Sequence, residues 1–156
     1  MQLNKKTSIK FLISAGIRRY LLFTGMNLLP FSFLRIYLLR FCGIKVGKGC
    51  YVGFNVIPDT NFPELIKIGK QVTISHNVNL ITHTATPVKS FLSTKYSMSK
   101  NIIIKDGAWI GAGSTVLPGA VIEENCFIGA GSVVSGGTKS FTLFAGNPCK
   151  EIKSLQ

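Results

Sequence analysis

The chain has 156 residues, enough for one domain with a buried core and too few for two catalytic domains. With 46% hydrophobic residues, 15% charged residues, 16 glycines and no G-X-Y period, it is neither a disordered tail nor a collagen-like fibre. Its net charge of +12 is uneven: residues 1–58 hold nine Lys and Arg and no acid, whereas residues 59–156 hold nine basic and six acidic groups, a field that draws polyanions or simply solvates a basic face.

Residues 8–41 read as one or two helices broken near Gly25 to Pro30, with Ile9, Leu12, Ile13, Ile17 and Leu21 at helical spacing. Their longest uncharged run, Tyr20 to Leu34, is 15 residues, short of the roughly 20 that a spanning helix needs. No small-residue cleavage site follows a clean apolar region, which argues against a secretory signal. Residues 1–41 are therefore either a helical cap on the rest of the chain or a membrane-interface segment with its Lys and Arg toward head groups. The cap is favoured, because an exposed first coil needs covering. The four cysteines form no CxxC pair, so neither a zinc site nor a redox dithiol is expected, and a reducing cytoplasm is the simplest setting.

From residue 42 the chain repeats with a period of six. Ile104, Ile110, Val116, Ile122, Ile128 and Val134 are followed four positions later by Ala108, Ser114, Ala120, Cys126, Ser132 and Thr138. Upstream, Ile68, Ile74 and Leu80 precede Val72, Val78 and Thr84, and Val46 and Val52 precede Cys50 and Val56. Neither an amphipathic helix nor an alternating strand recurs at that interval. A bulky and a small inward residue per hexad describe short flat strands joined by tight corners. Three such strands close a coil of about 18 residues, and stacked coils make a parallel β-helix, an all-β solenoid. Two stretches break the period, Asp59 to Leu65 and a longer loop, 85–101; breaks of this kind are where loops leave the coil.

The order of motifs from Trp109-Ile-Gly-Ala-Gly-Ser-Thr-Val-Leu-Pro-Gly-Ala-Val-Ile through Phe127-Ile-Gly-Ala-Gly-Ser-Val-Val to Ala145-Gly-Asn-Pro-Cys-Lys-Glu-Ile-Lys resembles the hexapeptide-repeat acetyltransferases, in the branch of the maltose and galactoside enzymes and of capsule or O-antigen O-acetyltransferases. The likeness covers residues 42–153. It implies a left-handed parallel β-helix, a homotrimer, and acetyl-CoA in a groove between subunits, with no metal.

Acetyl transfer to a hydroxyl needs a base and donors for the resulting oxyanion, and imidazole suits the base near neutral pH. Of the two histidines, His83 ends an upstream hexad just before the long loop, where the family keeps its catalytic histidine; His76 sits outward in mid-hexad. In the maltose and galactoside enzymes that histidine directly precedes the proline of the turn, whereas here Thr86 precedes Pro87; the Thr-His order matches the capsule-type members. The resemblance further implies acceptor contacts for Asn55, His76 and Trp109. For the donor it implies Trp109, Ala112, Ala130, Asn147, Lys150 and Lys153, with Lys139 substituting for a lysine whose usual place holds Gly136. Several of these have plainer readings: Asn55 as a left-handed corner residue, Ala112 and Ala130 as corner packing, and either histidine as a surface residue.

The expected activity is O-acetylation of a sugar hydroxyl in a cell-surface polysaccharide or its precursor, in the cytoplasm or at the inner face of the membrane. N-acetylation of an amino sugar or acetylation of an antibiotic would use the same chemistry. Two histidines are too few for a carbonic anhydrase of this fold. A scaffold or nucleic-acid-binding solenoid would explain the charge but not the coincidence of His83, Trp109 and the Gly-Asn-Pro segment, and no nucleic-acid partner is expected.

Overall fold

The computed structural model describes residues 5–84, 86, 87 and 89–156, with side chains from Gly16 onward. The side chains of Ile9, Leu12 and Ile13, and residues Ala85 and Val88 of the loop, lie outside the described residues. Two helices open the chain, α1 (Lys5–Leu28) and α2 (Ser32–Phe41), and part at Pro30 as the sequence predicts.

The hexads fold into strands of two or three residues. Coil one holds β1 (Lys45–Val46), β2 (Tyr51–Val52) and β3 (Ile57–Pro58); coil two holds β4 (Ile66–Ile68), β5 (Thr73–Ile74) and β6 (Asn79–Leu80). Coil three holds β7 (Ile102–Ile104), β8 (Trp109–Ile110) and β9 (Thr115–Val116); coil four holds β10 (Val121–Ile122), β11 (Phe127–Ile128) and β12 (Val133–Val134). Like strands stack into three sheets: β1-β4-β7-β10, β2-β5-β8-β11 and β3-β6-β9-β12, all parallel. The second sheet continues to β13 (Thr142–Ala145), which turns back antiparallel into β14 (Lys150–Ser154) and closes that end.

Register explains both breaks in the period. Ile103 pairs with Val121, 18 residues on, the length of one coil. Lys45 pairs with Lys67, 22 residues on, and Lys67 with Ile103, 36 on. The first break therefore adds four residues, and the second loops out one coil's length, which preserves the six-residue phase across it. That loop carries a single helical turn and a half, α3 (Phe91–Tyr96), opened by a capping box between Ser90 and Ser93.

The inward set is nearly the one the hexads predict: Val52, Ile74, Leu80, Ile104, Ile110, Val116, Ile122 and Ile128, with the small Ala108, Ser114, Ala120 and Ser132, are at most 1% exposed. Small corners are needed because successive coils touch there. A Cβ on Gly111 would lie 2.5 Å from the Ala130 nitrogen. Thr84 departs from its expected inward place. Thr82 is fully buried instead, and Thr84 ties down the loop, its hydroxyl donating to the Tyr96 carbonyl at 2.6 Å.

β2 is a terminal strand, and its main chain would otherwise face solvent. Side chains of α2 occupy it: Ser32 Oγ accepts from the Val52 nitrogen at 2.8 Å, and Arg35 Nε donates to the Val52 carbonyl at 3.0 Å. Arg35 is 1% exposed, with its guanidinium 4.1 Å from the Phe54 ring centroid. Leu22, Met26, Ile36 and Leu39 join the core beneath the helices. Their outer faces leave Tyr20, Phe23, Phe31, Phe33, Tyr37 and Phe41 exposed. No helix among the described residues is long and apolar enough to cross a membrane.

Candidate active site

The triangular section puts the candidate residues on different edges of a prism. Where the second sheet turns into the third, the corners of successive coils stack. Phe54 and Asn55 lie over His76 and Asn77, followed by Ala112 and Gly113, then Ala130 and Gly131, linked by main-chain bonds from Asn77 to Phe54, Gly113 to His76 and Gly131 to Ala112. Asn55, Asn77, Gly113 and Gly131 all have positive φ, between 52° and 70°. These are left-handed corner positions where Asn and Gly are the tolerated residues. The Asn55 side chain donates to Asn77 Oδ1 at 2.8 Å, so its corner role is met within the fold. Above Ala130 the same edge continues into Gly146 and Asn147, and Lys150 pairs with Ala145 beside it. His76, Ala112, Ala130, Asn147 and Lys150 thus line one edge. Ala112 and Ala130 are exposed, and a Cβ at Gly113 or Gly131 would meet nothing within 4 Å. The edge is an open run of bare main chain.

Trp109 stands on the adjoining second sheet, half exposed, stacked on Phe127 with centroids 4.5 Å apart and donating from Nε1 to Ser75 Oγ at 3.1 Å. Lys153 pairs with Leu143 on that sheet. Lys139 lies apart, at the corner between the first and second sheets of the last partial coil, ion-paired with Glu151 at 2.7 Å.

His83 lies on neither element. It follows β6, where the third sheet would turn into the first, and the loop leaves the coil there, with His83 bridging antiparallel to Ser99. Asp59, from the corresponding corner of coil one, reaches its ring. His83 Nδ1 is 2.5 Å from Asp59 Oδ2, and the carboxylate side chain is 2% exposed. Asp59 Oδ1 accepts from the Asn61 and Phe62 nitrogens; Oδ2 accepts from the Thr82 nitrogen at 3.0 Å and the Thr82 hydroxyl at 2.7 Å. Burial by itself would push this carboxyl up. The bonds donated by the Thr82 hydroxyl, His83 and the Asn61 and Thr82 main chain outweigh it and hold the group down at about 2. An ionised carboxylate only accepts, so His83 carries its proton on Nδ1 and offers a lone pair at Nε2. Phe62 packs edge-on against the ring, centroids 5.4 Å apart.

His76 has the opposite tautomer. Its Nδ1 accepts from the Phe54 nitrogen at 2.9 Å while the ring stacks on Phe54. In the neutral form its outward Nε2 is therefore a donor and cannot take a proton.

The carboxylate partner, Asn61, Phe62 and Thr82 were not among the residues that the sequence singled out. The available signal was positional: Pro58 pairs with Leu80, which sets Asn61 directly beneath His83. Among the described residues no group of three or more His, Cys, Asp or Glu could hold a metal ion.

The three-sided parallel solenoid thus carries an imidazole–carboxylate pair able to accept a proton at one corner and an open run of small residues along another. Comparison with known proteins identifies the class. Residues 101–136 match the bacterial transferase hexapeptide (six repeats) family. The chain is 33% identical over 145 residues to YvoF of Bacillus subtilis (strain 168), a protein carrying an acetyltransferase name, covering 92% of this chain and 76% of that one. Protein CapG of Staphylococcus aureus is 40% identical over 124 residues, 76% of this chain and 70% of CapG. The structure of a galactoside acetyltransferase in complex with coenzyme A superposes with a TM-score of 0.64 at 26% identity, covering 93% of this chain and 82% of that one. The chain belongs to the hexapeptide-repeat acetyltransferases, and its solenoid is their left-handed parallel β-helix. It is an acyltransferase.

Proposed function

We propose that the protein transfers the acetyl group of acetyl-CoA to a sugar hydroxyl, in a cell-surface polysaccharide or its precursor, with His83 as general base. The observation that carries this reading is the Asp59–His83 pair. The Nδ1 bond fixes the ring and its tautomer, and the buried carboxylate stabilises the imidazolium that forms once Nε2 has taken a proton. Acetyl-CoA supplies an activated thioester. His83 takes the hydroxyl proton as that oxygen becomes nucleophilic and returns it to the departing thiolate, so protons balance over the cycle.

The open edge from His76 to Lys150 fits an extended, phosphate-bearing donor. Ala112 and Ala130 are exposed, and their small side chains allow close approach to the main chain, while exposed Lys150 stands at the far end with Lys153 on the adjoining sheet. His76, with Nε2 as donor, suits hydrogen bonding to a carbonyl or oxyanion. Within one chain this edge and His83 are separated by the third sheet. Facing edges of adjacent protomers would bring them together, which supports a homotrimer with shared sites. The relatives' names, a galactoside enzyme and a capsule protein among them, favour a sugar acceptor. The exposed aromatics of α1 and α2, set among basic residues, support contact with a membrane carrying lipid-linked glycan.

The test is release of free thiol from acetyl-CoA with a panel of sugars, with and without His83. His83→Ala should lower turnover at least about 10²-fold with acetyl-CoA affinity within a few-fold. His76→Ala should cost less, since it supplies no base. Equal losses in both, or loss only in the second, would overturn the assignment.

A further inference from the structure

The lone pair at His83 Nε2, the atom that must receive the acceptor proton, is already engaged. Asn61 Nδ2 lies 2.9 Å from it. The orientation of that amide follows from its other end: Asn61 Oδ1 accepts from the Arg19 guanidinium of α1, a group that can only donate. The Asn61 main chain is pinned independently, its nitrogen donating to Asp59 Oδ1 at 2.8 Å. Only the side chain is free to turn away. An acceptor hydroxyl can therefore reach the base only after Asn61 leaves Nε2, and Asn61 leaves easily only if Arg19 releases its oxygen.

An exposed guanidinium exchanges a neutral amide oxygen for an anion readily, because a carboxylate or phosphate adds opposite charge and can accept two of its N–H groups in parallel, where the amide oxygen is neutral. Among the described residues Arg19 makes no ion pair, and neither does the exposed Glu64 three residues beyond Asn61. No acid precedes Asp59, and both oxygens of Asp59 are buried and occupied. Resting on the reading of His83 as the base, we propose that Asn61 is a gate on that base, latched by Arg19 and opened by an acceptor that carries an anionic group. The chemistry fits either a carboxylate on an acidic sugar or a phosphate on a sugar phosphate. A neutral sugar would have to displace Asn61 without that help.

The experiment measures thiol release from acetyl-CoA by the full chain with a neutral oligosaccharide, a uronate-containing oligosaccharide of the same length, a sugar phosphate, and no acceptor. The wild type should favour one or both anionic acceptors over the neutral one by about tenfold in kcat/KM, and which of the two it favours identifies the source of the anion. Arg19→Ala should bring that ratio to near one, and Arg19→Gln should do the same with less disturbance of α1. Asn61→Ala, with Asn61→Ser as the gentler change, should raise acceptor-free hydrolysis several-fold, because water then reaches Nε2. Equal rates with neutral and anionic acceptors in the wild type would overturn the proposal, as would a fall in every rate by one common factor in the Arg19 or Asn61 variants. If His83→Ala retains wild-type turnover, the base assignment fails and the gate with it. If His83→Ala is inactive but the acceptor ratio does not respond to Arg19, the gate alone fails.

Discussion

Replacing Asp59 by Asn changes one oxygen into an NH₂ group at almost constant volume, in a place where every neighbour is a donor. Oδ1 faces two main-chain N–H groups, and Oδ2 faces the Thr82 N–H, the Thr82 hydroxyl and His83 Nδ1. If the new amide keeps its oxygen toward His83, its NH₂ points at the Asn61 and Phe62 nitrogens and leaves buried donors unpaired. If it flips, the NH₂ points at Nδ1, which must then be the lone pair, and the proton moves to Nε2. The first outcome costs stability, about 1–3 kcal/mol per unsatisfied group. The second removes the base, worth roughly 10²–10⁴ in turnover. Either way the imidazolium loses its counter-charge, so kcat should fall by at least about 10² while acetyl-CoA affinity stays within a few-fold. A second readout is acid stability. Asp59 titrates at about 2 in the folded chain against an ordinary 3.8. A depressed carboxyl contributes stability above its unfolded value and loses it as pH falls through the folded one. The gap amounts to about 2 kcal/mol, present above pH ~5 and lost progressively between there and pH ~2. Chemical denaturation from pH 6 to pH 2 should therefore give Asp59→Asn a shallower acid limb than the wild type, from a lower plateau. Turnover within threefold of wild type, together with parallel acid limbs, would refute both the pairing and the role assigned to it.

Lys150→Ala and Lys153→Ala should weaken acetyl-CoA much more than its analogue lacking the 3′-phosphate, because an exposed cation acts through the nearby phosphate charge; titrations in which both ligands weaken in parallel would remove these lysines from the donor site. Lys139→Ala should have the smaller effect of the three, since that cation is already paired with Glu151 on another edge. For the N-terminal helices, sedimentation should show binding to anionic vesicles at low salt, weakened by high salt and by neutral lipid. Full-length protein that stays in the supernatant with anionic vesicles at low salt would leave α1 and α2 with only their contacts to the first coil.

The hexads were legible because each inward residue repeats at an interval that chain geometry alone imposes, and Ile104 through Ile128 are buried as that interval demands. The pattern weakens where the solenoid meets something else. Val46 and Cys50 are only half-buried in coil one, and Thr138 is half-buried in the unfinished last coil, where its hydroxyl accepts from the Glu123 nitrogen. The helix break was equally legible, since Pro30 cannot continue a helix. That Arg35 would be buried was not. An arginine in an otherwise apolar helix reads as a surface residue, and its place follows only from the unpaired carbonyl of Val52 and the Phe54 ring, both supplied by the coil beneath it.

Of the proposed site, the histidine was legible as a candidate and its neighbours were not. Nothing local separates His76 from His83, as both are outward residues on the same periodic frame. What separates them is the atom each presents at Nδ1: a main-chain N–H for His76, a buried carboxylate for His83. Finding that carboxylate from the sequence would require stacking coil one on coil two. The two are offset by 22 residues, which is not a multiple of six. Counting hexads therefore misaligns Asp59 and Asn61 with the residues above them, and the four extra residues that spoil the count are what the corner uses to hold the carboxylate. Arg19 is further from view, because α1 shares no period with the solenoid. The irregular segments thus carry the groups that differ most from the repeat, since a perfectly regular coil offers only main chain and small side chains at its corners. Departures from the hexad period, at Asp59 to Leu65 and at residues 82 to 84, are consequently where the proposed chemistry on this solenoid is concentrated.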